Sequence, residues 1–287
     1  MDGRGIVELL QRDGHALRWE EPCPGGEFGA SFVDAEGRPS VLKFWPHTQE
    51  GALGLERSVR RSERARLAGY PAPEVVAHGR VDAWLWHLQE RVAGALVDEP
   101  LSQAHVDRLV DANKRAEGCG IGEGEPWGEE LTRSLRTGLE TWCIHAVVSG
   151  HSARASALLQ RIVAVGNNLD AGAVPATDFA HMDFHHRNFL AADGRLTAII
   201  DCDGSRDGDR RFDLVTLSYW LGFVGAEPGV ADGLAQHAAA ETPPELLVPY
   251  NAHMVLRNID FYARTGRPDI ADLHVAYGEA MLEQFGA

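Results

Sequence analysis

With 287 residues, 44% of them hydrophobic, the chain can bury a core as one large domain or two modest lobes. A formal net charge of −15 argues against a nucleic-acid partner, which clustered Lys and Arg would hold, and suits a small cationic ligand. No run of about 18 apolar residues is present, so no membrane span is expected.

The N-terminus lacks a basic segment leading into an apolar run. Cys23, Cys119, Cys143 and Cys202 lie far apart without CxxC spacing and read as buried thiols in a reducing compartment. A cytoplasmic protein is expected. Its lysines are only Lys43 and Lys114; where Arg is the default cation, a Lys points to a need for a compact ammonium.

Residues 3 to 13 predict a short helix, followed by a β-meander. Within it, Ser31 to Val33 and Val41 to Trp45 are strand-like runs flanking the turn segment DAEGRPS, which places Lys43 in the second strand of a hairpin. Leu53 to Ala68 predicts a charged amphipathic helix stopped by Gly69 and Pro71, and PEVVAHGR and AWLWHLQERV supply two more strands. Trp84, Trp86 and Trp142 sit among apolar residues as core. After Gly94 the pattern turns helical, with helices over roughly 101 to 116, 128 to 148 and 151 to 168. A strand-turn-strand unit runs from Phe179 to Cys202, and further helices cover 212 to 223, 229 to 240, 243 to 263 and 268 to 285. The fold class is α+β, with a small antiparallel β-rich lobe over 1–92 and a larger helical lobe over 93–287. A ligand is expected in the cleft between them.

The chemistry concentrates in residues 181 to 215, HMDFHHRNFLAADGRLTAIIDCDGSRDGDRRFDLV. His181, Asp183 and Asn188 fall on a loop, and the apolar strand Leu196 to Ile200 delivers Asp201 at its end. An Asn and an Asp, completed by phosphate oxygens, make a plausible magnesium set. Asp183 is then placed to accept a hydrogen bond, and later a proton, from an acceptor hydroxyl.

These residues resemble the aminoglycoside phosphotransferase and choline kinase family, which has a protein-kinase-like fold. Its H-x-D-x-x-x-x-N motif matches His181, Asp183 and Asn188; its I-D-x-D/E matches Ile200, Asp201 and Asp203; its G-D-x-x-x-D matches Gly208, Asp209 and Asp213. The resemblance implies Asp183 as base or orienter, Asn188 and Asp201 as Mg2+ ligands together with Asp203, and Asp213 as a brace of the catalytic loop. It implies ATP or GTP as phosphoryl donor, Lys43 on the nucleotide phosphates, and a helix glutamate pairing with that lysine, Glu56 in preference to Glu63. Gln89, Glu90 and Val92 correspond to the hinge, whose main chain meets the base. Pro24 to Gly29 could cover the phosphates, although its glycine spacing departs from G-x-G-x-x-G. The family often has Pro-Gly before the Asn; here His186-Arg187 stands there, giving Arg187 a role against transferred charge and His185 one near the γ-phosphate.

The acceptor expected is a small cationic molecule, an antibiotic such as an aminoglycoside or a basic tuberactinomycin-like peptide. Choline, a sugar or an amino sugar is the alternative. A second class is a metal-dependent hydrolase using His181, Asp183, His185 and His186 as a zinc cluster. Cys202 reads as a small buried hydrophobe, and GCGIGEG over 118–124 as a flexible connection, since it follows a helix and lacks βαβ context.

Overall fold

The structure is a computed structural model that describes residues 1–24, 29–97 and 100–286. The glycine-bearing segment expected over the phosphates lies, at Gly25 to Phe28, outside the described residues. By internal contacts the chain forms two compact units, Met1–Val97 with Arg187–Ser205, and Asp98–His186 with Arg206–Ala287. The first unit is therefore discontinuous in sequence: Arg187–Ser205, which carries the Asn188 and Asp201 motifs, packs with the N-terminal sheet.

The first unit opens with helix α1 (Gly3–Arg12), whose start is fixed by Asp2 accepting the Gly5 amide at 3.0 Å. Strands β1 (Leu17–Pro22), β2 (Gly29–Ala35), β3 (Arg38–Pro46), β4 (Val75–Val81) and β5 (Trp84–Glu90) form an antiparallel sheet in the order β1-β2-β3-β5-β4. Helix α2 (Gln49–Leu67) lies between β3 and β4 in sequence, capped by the Thr48 hydroxyl. Strand periodicity sorts the side chains of β3 and β5. Leu42, Phe44, Trp86 and Leu88 join Ile6, Val7 and Leu10 in one core, against which Trp84 packs. The alternate positions Lys43, His87 and Gln89 belong to the opposite face, where Ser58 and Ser62 of α2 meet His87 and Gln89. A short β6 (Ala95–Leu96) pairs with β8 (Phe189–Ala192), which turns through Asp193 and Gly194 into β9 (Arg195–Ile199).

In the second unit, α3 (Gln103–Lys114), α4 (Trp127–Arg136), α5 (His145–His151), α6 (Ala153–Asn168), α7 (Arg210–Leu221), α8 (Val230–Glu241), α9 (Pro244–Arg264) and α10 (Pro268–Gln284) dominate. Their core gathers Trp127, Leu131, Ile162, Phe212, Tyr250 and Met254, with Trp142 packed against it. A small antiparallel ladder joins β7 (Asp178–Ala180) to β10 (Arg206–Gly208), so Phe179 pairs with Asp207 and lies outside the β8–β9 hairpin. The single helix expected over 128 to 148 is two. Gly138 and Cys143 adopt φ of 78° and 54°, left-handed values that a helix cannot contain, and they separate α4 from α5. The GCGIGEG segment is anchored: the amides of Ile121 and Glu123 donate to the buried Asp207 carboxylate at 3.0 and 2.8 Å.

This architecture is α+β, an antiparallel sheet unit and a helical one.

Candidate active site

In the first unit, β3 presents Lys43, and the turn after β9 presents Asp201 to Asp203. Lys43 Nζ donates to Asp201 Oδ1 at 2.7 Å and to Asp203 Oδ2 at 2.6 Å, although the partners are 158 and 160 residues away in sequence. The lysine side chain is 17% exposed. Burial would depress its ammonium; Asp203 and Asp201 outweigh that and hold it above the usual lysine range. Burial likewise favours a protonated Asp203, but Lys43 and then His87 keep its carboxyl well below the ordinary carboxylate value. Asp201 has φ of 68°, an uncommon left-handed conformation for a non-glycine residue, held where β9 passes into a one-turn helix, Cys202–Gly204.

Asn188 closes another one-turn helix, His186–Asn188, and is buried. Its carbonyl accepts the Ile200 amide at 2.8 Å, and Phe189 pairs with Ile199 in the next rung. These contacts hold the Asn188 and Asp201 segments side by side. Both offer hard oxygen donors, the chemistry magnesium takes. Asp203, expected among the metal ligands, instead spends Oδ2 on Lys43 and places Oδ1 3.1 Å from His87 Nδ1.

The expected lysine–glutamate pair does not form. Glu56 lies 3.5 Å from His78 and is 59% exposed, while Glu63 is taken by Arg66 through two bonds of 2.8 Å. The reason is helical phase: the buried face of α2 is Leu55, Ser58, Arg61, Ser62 and Ala65, and Glu56 and Glu63 each sit one position round from it. Arg61 instead donates to the Ser205 carbonyl at 3.2 Å, tying α2 to the end of the Asp201–Ser205 segment. At the candidate hinge, Gln89 is buried, the Glu90 amide donates to the Glu74 carbonyl at 2.9 Å, and Val92 follows in irregular backbone.

In the second unit the loop after β7 carries His181, Met182 and Asp183. Asp213, fully buried in the first turn of α7, accepts the His181 amide at 2.8 Å and the Met182 amide at 2.9 Å. That double acceptor supports Met182 at φ of 72° immediately before Asp183. Neighbouring Asp209 caps α7 and accepts from Arg211 and from the Tyr250 hydroxyl. Asp183 itself is gripped on both oxygens. Arg257 of α9 donates Nη2 to Oδ1 at 2.8 Å and Nη1 to the Met182 carbonyl, and His185 Nε2 lies 3.1 Å from Oδ2. Burial would raise the Asp183 carboxyl, but Arg257, His185 and His181 hold it well below the usual range. His185 also packs against Trp220, with ring centres 5.5 Å apart, while Arg187 is exposed.

The zinc-hydrolase expectation finds no support in this arrangement. His181 Nδ1 faces the Asp183 amide and His185 turns to the Asp183 carboxylate. Among the described residues, no group of three or more His, Cys, Asp or Glu side chains is placed to hold a metal ion. Two contributors escape a reading of the sequence: Arg257, far down α9, and His87, in β5. Neither belongs to a spaced motif, and only tertiary packing brings them to their carboxylates.

The sequence profile of the phosphotransferase enzyme family, APH, matches residues 21–247. A search of curated proteins found no significant match. Among solved structures, the chain is similar to a thermostable mutant of aminoglycoside phosphotransferase APH(4)-Ia in ternary complex with ADP and hygromycin B, at 17% identity and a TM-score of 0.66, over 98% of both chains. It is similar to spectinomycin phosphotransferase APH(9)-Ia in complex with ADP and spectinomycin, at 13% identity and a TM-score of 0.63, again over 98% of each. Choline kinase LicA from Streptococcus pneumoniae aligns at 14% identity and a TM-score of 0.63, with 98% coverage of both. No helix among the described residues is long and apolar enough to cross a membrane. The fold is thus the protein-kinase-like one of these structures, and with the profile spanning most of the sequence this chain belongs to the phosphotransferase enzyme family.

Proposed function

We propose that the protein transfers the γ-phosphoryl group of ATP or GTP to a hydroxyl of a small, cationic acceptor. One observation carries the reading: Lys43 of the sheet meets Asp201 and Asp203 of the I-D-x-D motif at 2.7 and 2.6 Å. A buried ammonium between two carboxylates is positioned by its neighbours, and a positioned cation is what transferring phosphates need. Asn188 and Asp201 would hold magnesium, which when bound neutralises phosphate charge. The first unit, extending the 1–92 segment by Arg187–Ser205, is the nucleotide-binding part; Glu90 and Val92 offer main chain to the base. The helical unit supplies catalysis and the acceptor site.

Asp183 orients the acceptor hydroxyl. Its paired, strongly acidic carboxylate is a weak base, so the proton reaches it late, once the hydroxyl oxygen has begun to bond to phosphorus. His185 and Arg187 stand on the same loop and contribute positive charge toward the transferred group. Because Arg257 already neutralises Asp183, a cationic group on the acceptor pairs with other carboxylates of this acidic chain.

For the acceptor, an antibiotic of the aminoglycoside or basic-peptide class fits the net charge of −15 and the ligands of the similar phosphotransferase structures. Likeness to a choline kinase favours, as second reading, a choline-like or sugar metabolite. Nucleotide-dependent phosphorylation across aminoglycosides, tuberactinomycins, choline and amino sugars decides between them. Turnover of choline alone would remove the antibiotic reading, and no turnover of any member would remove both.

A further inference from the structure

The place that a helix glutamate would fill beside Lys43 is taken from a different direction. Lys43 and His87 stand directly opposite one another on β3 and β5, so their side chains leave the same face of the sheet. Asp203 reaches that face from the turn after β9 and meets both: Oδ2 lies 2.6 Å from Lys43 Nζ and Oδ1 lies 3.1 Å from His87 Nδ1. A carboxylate held at one oxygen can still swing about its own axis. With a second polar group 3.1 Å from its other oxygen, on the neighbouring hydrogen-bonded strand, that swing is restricted.

The histidine is well placed for such a task. Its side chain is 5% exposed, and its backbone lies between β3 and β4 in the sheet, paired on both sides. The ring is buried, and among the described residues neither nitrogen makes a hydrogen bond of good geometry, Nδ1 having the Asp203 contact of 3.1 Å. It lines a cavity with Ser58, Ser62, Gln89 and Cys202 that has room for about one water molecule. The ring thus borders that space together with Ser58 and Ser62 of α2, with Nδ1 3.1 Å from Asp203 Oδ1. A histidine filling core volume would not need to aim a nitrogen at the lysine's own counter-ion.

We propose that His87 is a positioning residue: it fixes the Asp203 carboxylate, and through it the Lys43 ammonium, in the place where the nucleotide phosphates bind. Two serines on the buried face of α2, in place of an acidic residue, are consistent with this relay. The inference rests on the kinase reading, and it names a determinant of nucleotide affinity that acts without touching the nucleotide.

The test measures Mg·ADP affinity by titration calorimetry, with the KM for ATP, on the full chain. Failure of the unaltered protein to bind Mg·ADP would overturn the kinase reading itself. Given binding, His87→Gln and His87→Asn are compared, because asparagine carries a donor at the Nδ1 branch and glutamine carries it one carbon farther out. His87→Gln is expected to weaken Mg·ADP and raise the KM about tenfold, the order expected for a lost bond to a charged group, and His87→Asn to stay within about threefold of the unaltered protein. In a Lys43→Ala background the glutamine substitution should add less than about twofold, since its effect passes through the lysine. Equal losses for both substitutions, no loss for glutamine, or a full tenfold loss added on Lys43→Ala would each overturn the proposal. If His87→Gln does not fold, His87→Ala, which demands no extra space, takes its place in the same comparisons.

Discussion

Arg257 and Asp183 form a two-point clamp: one guanidinium nitrogen donates to the carboxylate at 2.8 Å and the other to the carbonyl of the preceding Met182 at 2.8 Å. The clamp fixes the carboxylate relative to its own backbone and keeps it charged. Arg257→Ala should lower kcat by about tenfold to a hundredfold, with the KM for nucleotide little changed, because only the orientation of Asp183 is lost. Arg257→Lys should not restore the rate, since an ammonium cannot serve two acceptors set in a planar fork. Steady-state kinetics of both variants check this; full activity in the lysine variant would rule out the two-point role.

Asp183→Ala removes the group proposed to orient the hydroxyl and take its proton. Turnover should fall by about 10²–10⁴-fold, the range for general-base contributions, while Mg·ADP affinity stays within about threefold. A comparable loss of nucleotide affinity would place Asp183 at the nucleotide and count against its assignment.

Asp201→Ala should behave differently. It takes away a proposed metal ligand and one of the two carboxylates on Lys43. Magnesium-dependent nucleotide binding and turnover should both weaken, by about tenfold or more. Titrating ADP at several magnesium concentrations reads this directly, and an unchanged magnesium dependence would sink the ligand assignment.

How far such roles are legible in a sequence depends on where their partners lie. His181, Asp183, Asn188, Asp201 and Asp213 fall within 33 residues, and strand-turn-strand geometry constrains them, so spacing alone brings them to notice. Lys43 stands out because it is one of two lysines. Glu56 misleads because a predicted helix has the right place but an unfixed phase; rotation by a single residue sends it to His78. Arg257 and His87 leave no local trace, being ordinary residues of a helix and a strand until tertiary contacts select them. The break between α4 and α5 is similar: Gly138 is visible, but its left-handed φ is set by the packed chain.

Asp213→Ala tests the brace beneath the catalytic loop. It leaves the buried amides of His181 and Met182 without their acceptor, at about 1–3 kcal/mol each, and removes the support for the left-handed Met182. The expected result is a lower unfolding midpoint in urea or heat, together with reduced kcat as Asp183 loses its footing. Asparagine, which keeps one acceptor oxygen, should lose less than alanine. Equal stability of the alanine variant and the parent would refute the bracing role.

The last prediction concerns acid stability. His253 is fully buried among Trp127, Trp142 and Phe212, with Nδ1 2.9 Å from Ser134 Oγ; burial pushes its pKa down to about 3. His274, paired with the Tyr219 hydroxyl, is pushed down to about 4, also by burial. Below the ordinary histidine value of 6.5, the unfolded chain takes up protons that these folded rings refuse. Stability from them is therefore complete above that value and falls as pH drops toward 4 and then 3, by up to about 1.4 kcal/mol per pH unit for each ring. Asp213 acts with the opposite sign: burial raises its carboxyl to about 7, so its contribution is present at low pH and lost as pH rises from 3.8 through 7. A parent profile alone mixes the two. Comparing parent with His253→Phe isolates the ring, because phenylalanine has no proton to gain in either state. Across pH 6.5 to 4.5 the variant should lose less stability than the parent, by about 1–3 kcal/mol in urea unfolding, whatever constant difference the substitution introduces at neutral pH. Parallel profiles would show that His253 titrates alike in folded and unfolded chains, which its fully buried ring does not allow.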